Sequence, residues 1–267
     1  MKPRNNPTPY EQLPMLNAAV DNISMRELLM EFNEGMLLTL NVEMLAKLQY
    51  DREFYDLLPQ FDYITCDSQI MYFYAKLVGM PIKERVSGSD FFPVFYNHYK
   101  DNPDVSVFIC GGAEGVAETA RQNVNAKVGR EFVVGTSSPP MAFERNPEEL
   151  DKVIDAINAS GATVLMVALG SARQEKFMFQ IRSRVPKVKM FLPLGGTVDY
   201  EAGTFPRPSP WVTNAGLEWL YRLVKEPKKR FKRYVIQQPP VLWLLLKQRL
   251  GIYRDPLDDG EVTREAS

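Results

Sequence analysis

Two short apolar runs flank one helix-length segment between Thr163 and Leu194, and this arrangement restricts the fold more than any other stretch of the chain. Thr163 to Leu169 is dense in β-branched and aliphatic residues and reads as a strand buried on both faces. Gly170-Ser171 ends it. From Arg173 onward, Phe177, Met178, Ile181 and Val185 recur at a helical spacing. Val188 to Leu194 is a second apolar run and stops at Gly195-Gly196, with Asp199 and a Pro-rich loop beyond. Strand, helix and strand in this order make a βαβ unit. Such units are right-handed and place ligands beyond the carboxyl ends of their strands.

The same alternation runs back through the chain. Met36–Asn41, Phe61–Cys66, Val105–Cys110 and Phe132–Gly135 read as strands. Helical segments follow at Val42–Leu48, Ile70–Val78, around Phe91 and Phe95, and at Glu114–Val128. Ser24 is placed to cap a helix over Met25–Asn33. Asn146-Pro147-Glu148-Glu149 combines a capping side chain, a proline at the first helical position and early acids, and opens a helix that runs to Gly161. The expected class is therefore α/β, a Rossmann-like, mostly parallel sheet with flanking helices. At 267 residues the chain accommodates one large domain of this kind. The expected organisation is a catalytic α/β domain over 1–217 with residues 1–20 as a loose arm, an appendage over 218–254 and a disordered tail over 255–267.

The appendage differs in composition. From Glu218 to Arg254 ten Lys or Arg oppose two Glu, about +8, in a chain whose net charge is -1. GLEWLYRLVK is an aromatic amphipathic helix, Pro227 to Tyr234 a basic run with interleaved aromatics, and VLWLLLKQRLGIY a Leu-rich segment containing Trp243. This pattern fits an anionic partner, and the Leu-rich continuation favours a membrane surface over nucleic acid. A helix docked on the core accounts for the segment equally well. No uncharged apolar run reaches the ~18 residues of a membrane span, and the amino-terminal residues lack the apolar core of a secretory signal. The expected location is cytoplasmic, peripheral at the inner face of the membrane. Cys66 and Cys110 each end a strand and read as small core residues, not as a disulfide.

Residues able to do chemistry collect at strand ends. Asp67 follows a strand as a general base would, although a helix cap is the commoner use of that position. Thr39 and Asn41 end the preceding strand, where turn chemistry alone explains them. Arg85 is set in a polar loop and is suited to gripping phosphate. Gly111-Gly112 and Gly195-Gly196 permit close backbone approach to a ligand, but neither pair fits a dinucleotide or P-loop pattern. With His98 the sole histidine and no D-x-D run, nucleophilic triads and metal sites are poorly supplied.

Taken in order, these residues resemble the WecG/TagA/CpsF family of bacterial glycosyltransferases. The likeness runs from about Ala18 to Tyr234. Its landmarks are T-x-N at Thr39 and Asn41, Asp67, E-R-x-x-G-x-D from Glu84 to Asp90, and the Gly-Gly of FICGGAEGVAE. G-x-x-x-Q-E at Gly170, Gln174 and Glu175 follows, then GG-x-x-D-x-x-AG from Gly195 to Gly203, R-x-x-P from Arg207 to Pro210, and GLEWLYRL. Three positions depart from the usual pattern: Ser68 stands where glycine is common, Ala172 where proline is, and the appendage is richer in lysine than in arginine. The resemblance implies inverting, metal-independent transfer of an N-acetylmannosamine, its uronic acid or a glucose-type hexose. The donor would be a UDP-sugar, and the acceptor a polyprenyl-pyrophosphate-linked sugar of cell-surface polysaccharide synthesis. No cofactor is implied, and a homo-oligomer is left open. Asp67 matches the base, and Thr39, Asn41, Arg85 and Gln174 match active-site positions. Gly111, Gly112, Gly170, Glu175, Gly195, Gly196, Asp199, Arg222, Lys229 and Lys232 are assigned to the donor, and Lys228, Arg230, Arg233 and Trp243 to the membrane or acceptor. A non-catalytic nucleotide-sugar-binding or assembly protein of the same fold is the alternative.

Overall fold

A computed structural model describes residues 3–258. The chain opens with an antiparallel hairpin, β1 (Gln12–Met15) and β2 (Ala18–Asp21), followed by α1 (Met25–Glu31), β3 (Gly35–Leu40), α2 (Val42–Lys47), α3 (Arg52–Leu57), β4 (Tyr63–Cys66) and α4 (Gln69–Leu77). The middle comprises α5 (Gly88–His98), β5 (Val107–Gly111), α6 (Val116–Val128), β6 (Val133–Ser137), α7 (Pro147–Ser160), β7 (Val164–Ala168), α8 (Arg173–Ile181) and β8 (Met190–Leu192). Helices complete the described chain: α9 (Thr197–Ala202), α10 (Pro210–Asn214), α11 (Glu218–Lys225), α12 (Pro227–Phe231), a π-helical turn over Lys232–Gln237 and α13 (Pro239–Arg249).

Six strands form one parallel sheet in the order β4-β3-β8-β7-β5-β6. The apolar runs are continuous because both faces are covered. Leu38, Leu40, Phe108, Cys110, Leu165 and Val167 enter one hydrophobic cluster. Their neighbours Leu37, Val107, Ile109, Val164 and Met166 enter the other, as the two-residue period of a strand requires. Local capping agrees with the sequence. Ser24 and Glu27 form a reciprocal capping box on α1, and Asn146 accepts from Glu148 and Glu149 ahead of Pro147 on α7. Both cysteines are free and buried.

One expectation fails at the amino terminus. Residues 1–20 are not a loose arm throughout, since β1 and β2 pair from Gln12↔Asp21 to Met15↔Ala18. Leu13, Met15, Leu16, Ala18 and Val20 are buried in the core. The alternation of apolar and polar residues there is too short to stand out, and what holds the hairpin is long-range. The Arg4 and Asp21 side chains are 4% and 0% exposed, and Arg4 Nη1 lies 2.9 and 2.7 Å from the two carboxylate oxygens. Thr8 Oγ1 and the Ile64 amide also donate to Asp21, each at 2.8 Å.

The other end of the chain closes on the same hairpin. Val241 and Leu245 of α13 are buried in the main core. The Leu16 amide donates to Gln248 Oε1 at 3.0 Å. Of the stretch expected as a disordered tail, Asp255 accepts from Tyr55 Oη at 2.7 Å and Asn17 Nδ2 at 3.2 Å; residues 259–267 lie outside the described part. The docked-helix reading of the Leu-rich segment therefore holds, with Leu242, Trp243 and Leu246 left exposed on it. Among the described residues no helix is long and apolar enough to cross a membrane.

Because Asp21 is enclosed with its cation, removing either partner strands the other. Asp21→Ala is expected to cost about 3–5 kcal/mol of unfolding free energy, measured by urea denaturation. A cost below about 1 kcal/mol would show that the buried pair does not hold the hairpin.

Candidate active site

Every strand of the parallel sheet delivers residues at its carboxyl end to one cleft of about 620 Å³. Thr39 and Asn41 come from β3, Asp67 from β4, Gly111 and Gly112 from β5, Pro139 beyond β6, Gly170 and Ser171 beyond β7, and Gly195 and Gly196 beyond β8. Appendage residues Glu218, Trp219, Arg222, Arg230, Tyr234 and Gln238 complete the wall.

Asp67 has its backbone fixed on both sides. Its amide donates to Leu40 at 2.9 Å and its carbonyl accepts from Arg85 Nη1 at 3.1 Å. The helix-cap reading is not realised: Ser68 is the N-cap of α4, and no side-chain hydrogen bond caps that helix. The Asp67 carboxyl is left to the cleft. Desolvation pushes its pKa up to about 6, with Arg85 and Arg222 opposing and Glu218 and Asp90 adding to the rise.

Arg85 forks between the Asp67 carbonyl and Asp90 Oδ2, the latter at 2.6 Å. The Ser87 hydroxyl donates to the same Asp90 oxygen at 2.6 Å and receives the Asp90 amide, which starts α5. Thr39 is buried, with Gly88 packed against it; a Cβ on Gly88 would lie 3.4 Å from Thr39 Oγ1 and 2.7 Å from Leu194. Asn41 is both in the cleft and the cap of α2, its Oδ1 accepting from the Met44 amide at 3.1 Å.

Gln174 and Glu175 open α8 and are both buried. Gln174 Nε2 donates to Glu175 Oε1 and to the Pro193 carbonyl, each at 2.9 Å. Gln174 Oε1, Glu175 Oε2 and Ser171 Oγ are buried with no partner. Desolvation pushes the Glu175 pKa up to about 7, against hydrogen bonds from Gln174 and the backbone. The glycines are needed sterically. A Cβ on Gly111 would fall 2.5 Å from the Ala168 carbonyl oxygen, and one on Gly195 would fall 3.0 Å from Gln174 Oε1. Gly196 caps α9 and Asp199 lies in that helix's first turn; both face the cleft.

On the appendage, Arg222 Nε and Nη2 share Glu218 Oε1 at 2.9 and 2.6 Å, and Arg230 Nη2 meets Glu226 Oε2 at 2.7 Å. Burial works to lower the Arg222 pKa, but Glu218, through its charge and hydrogen bond, together with Tyr200 and Tyr234 holds it above its ordinary value. Arg222 Nη1 would come within 3.3 Å of a Cβ on Gly196. Arg230, assigned from sequence to the membrane, lines the cleft, whereas Lys232, assigned to the donor, is exposed outside its lining. Lys228 and Trp243 are also exposed. The side chains of Lys229 and Arg233 lie outside the described part.

The model of the WecG/TagA/CpsF glycosyl transferase family matches residues 13–255. The chain belongs to this family. The cleft of this WecG/TagA/CpsF glycosyltransferase gathers Thr39, Asn41, Asp67, Arg85 and Gln174, which sequence alone put on four separate segments. It also contains Glu218, Trp219 and Tyr234, which had not been singled out. The i,i+4 spacing of Glu218 and Arg222 was a signal for Glu218; Trp219 fell within an amphipathic helix and Tyr234 within the basic run with interleaved aromatics. Among the described residues no group of three or more His, Cys, Asp or Glu is gathered as a metal site would require.

The raised carboxyls fix a pH dependence. The folded glycosyltransferase holds protons on Asp67 and Glu175 more tightly than the unfolded chain, whose carboxyls titrate near pH 4 (about 3.9–4.3). Their favourable contribution is therefore complete below about pH 4 and is lost as pH rises through about 6 at Asp67 and about 7 at Glu175. Relative to the parent, Asp67→Asn is expected to gain stability as pH rises across that window, measured by denaturant unfolding at a series of pH values. A parallel pH profile for variant and parent would contradict the burial.

Proposed function

We propose that this glycosyltransferase moves a hexose (N-acetylmannosamine, its uronic acid or a glucose type) from a UDP-sugar to a polyprenyl-pyrophosphate-linked sugar, with inversion and without a metal. One observation carries the reading. A desolvated carboxyl with no helix to cap, Asp67, shares a cleft with four arginines, Arg85, Arg173, Arg222 and Arg230.

The chemistry follows from what inversion requires. An acceptor hydroxyl gives its proton to the Asp67 carboxylate while its oxygen forms a bond to the anomeric carbon. The bond from that carbon to the UDP oxygen breaks on the opposite face, and the electron pair leaves with the β-phosphate. Arg222 and Arg230 stand where cationic side chains offset that charge, in place of a divalent ion. Thr39, Asn41 and Gln174 supply neutral polar groups for sugar hydroxyls. The Gly-Gly turns after β5 and β8 let backbone approach the nucleotide. A pKa of about 6 keeps Asp67 largely ionised near neutrality and yet basic enough to accept a proton in the transition state.

The acceptor's lipid demands a membrane surface. The exposed Leu242, Trp243 and Leu246 beside Lys247 and Arg249 offer an interfacial face of apolar and cationic groups. This fits a peripheral enzyme at the cytoplasmic side of the membrane in cell-surface polysaccharide synthesis.

Asp67→Asn is expected to lower turnover by about 10²–10⁴-fold and to leave UDP affinity within about threefold. The parent rate is expected to climb with pH through about 6 as the base loses its proton. The assay is UDP release from a panel of UDP-sugars with a short-chain polyprenyl-pyrophosphate acceptor, product masses being read by mass spectrometry. Near-normal turnover by Asp67→Asn overturns its role as base, and UDP binding without turnover on any donor favours a non-catalytic protein.

A further inference from the structure

The cations that line the cleft from the appendage do not stand on the appendage alone. Tyr200, on α9, and Phe205, just beyond it, are both buried, with ring centroids 5.8 Å apart and planes at 73°. The Arg222 guanidinium lies over Tyr200 at 4.9 Å and at 6.0 Å from the Phe205 centroid, while Arg230 lies over Phe205 at 5.7 Å. Tyr200 Oη donates to Glu218 Oε1 at 3.1 Å, the oxygen that also receives Arg222. From the same helix, Tyr221 packs edge-on against Phe205 at 6.1 Å.

We propose that Tyr200 and Phe205 are positioning residues: a two-ring seat on the core that docks the appendage and aims Arg222 and Arg230 at the donor's pyrophosphate. The proposal rests on the phosphate-binding reading given above and adds which core residues make it possible.

Three features favour a seat over incidental packing. Cation–π attraction is strongest where the cation is shielded from water, and the Arg222 and Arg230 side chains are 16% and 12% exposed. Each guanidinium has one edge committed to a glutamate four residues earlier and one face on a ring, which leaves a single edge for a ligand. For Arg222 that edge is Nη1, the atom beside Gly196. The seat and the Gly195-Gly196 turn also belong to one short stretch of chain, since α9 starts at Thr197 and ends against Gly203. The backbone that approaches the ligand and the rings that carry its counter-charges therefore move together.

The rings predict a loss that tracks the ring face, which a purely structural role would not give. Phe205→Leu keeps an apolar side chain and removes the ring face. It is expected to raise both the dissociation constant for UDP and the donor KM about tenfold, the scale of losing one or two shielded cation–π contacts, and to lower kcat at saturating donor as well, since the same arginines offset the leaving-group charge. Phe205→Tyr, which keeps the ring, is expected to restore all three. Tryptic cleavage at the basic sites of α12 is expected to accelerate in Phe205→Leu and not in Phe205→Tyr. Tyr200→Leu against Tyr200→Phe gives the same comparison if Phe205→Leu does not unfold cooperatively.

Arg222→Gln is measured alongside and separates the two levels of the argument. If it weakens UDP binding while the ring-removing variants do not, the seat is overturned and the phosphate reading stands. If Arg222→Gln binds UDP as tightly as the parent, the phosphate reading itself fails and takes the seat with it.

Discussion

Asp67 is reached by a strand, left by a helix and fixed at both backbone polar groups, so its carboxyl has little freedom to seek a partner elsewhere. Leu40 holds the amide and Arg85 holds the carbonyl. That leaves a charged group near an apolar sheet end, and desolvation raises its pKa. Arg85 is close enough to moderate this rise, but its second nitrogen is taken by Asp90, which Ser87 also binds. The carboxyl is consequently neither neutralised by a full ion pair nor left in bulk water. Around it the cleft sets the glycine at 88 against Thr39, the polar start of α5, and an appendage whose arginines arrive with glutamates beside them.

The appendage shows how a strongly basic segment is folded against a protein without collapsing onto its acids. Its two glutamates, Glu218 and Glu226, each take an arginine of the next turn. Exposed lysines on the same segment are left for solvent or an anionic surface. Arg222 and Arg230 line the cleft while Lys225, Lys228 and Lys232 are exposed, a division with a chemical basis. Guanidinium is weakly hydrated, stacks on rings and donates along defined edges, whereas ammonium is a compact, strongly hydrated charge.

Much of the sheet was legible because parallel strands buried on both faces leave uninterrupted apolar runs, and glycine pairs or an acid mark where each run ends. The βαβ unit around Arg173 and the caps at Ser24 and Asn146 follow from local chemistry and stand as expected. The hairpin over Gln12–Asp21 was not legible. Its strands are four residues each, and its stability comes from Arg4, Asp21 and Ile64, a set no window of sequence contains. The division of the site followed the same rule. Asp67 stands at a strand end where a helix cap was the commoner reading, and Gln174 came from the family resemblance; spacing could not tell that Arg230 turns inward while Lys232 turns outward. Arg230 lies over Phe205, more than twenty residues earlier in the chain, a contact that spacing does not reveal.

The closure between the first hairpin and the last helix bears on how the protein is made. The hydrogen bond from Leu16 to Gln248 joins residues 232 positions apart, and the one from Asn17 to Asp255 joins residues 238 apart. Neither exists until nearly the whole described chain has left the ribosome. During synthesis, the apolar side of the hairpin therefore waits for Val241 and Leu245, and the nascent protein carries an uncovered patch throughout that interval. The rate at which the final helix is made thus sets how long that patch stays open to solvent.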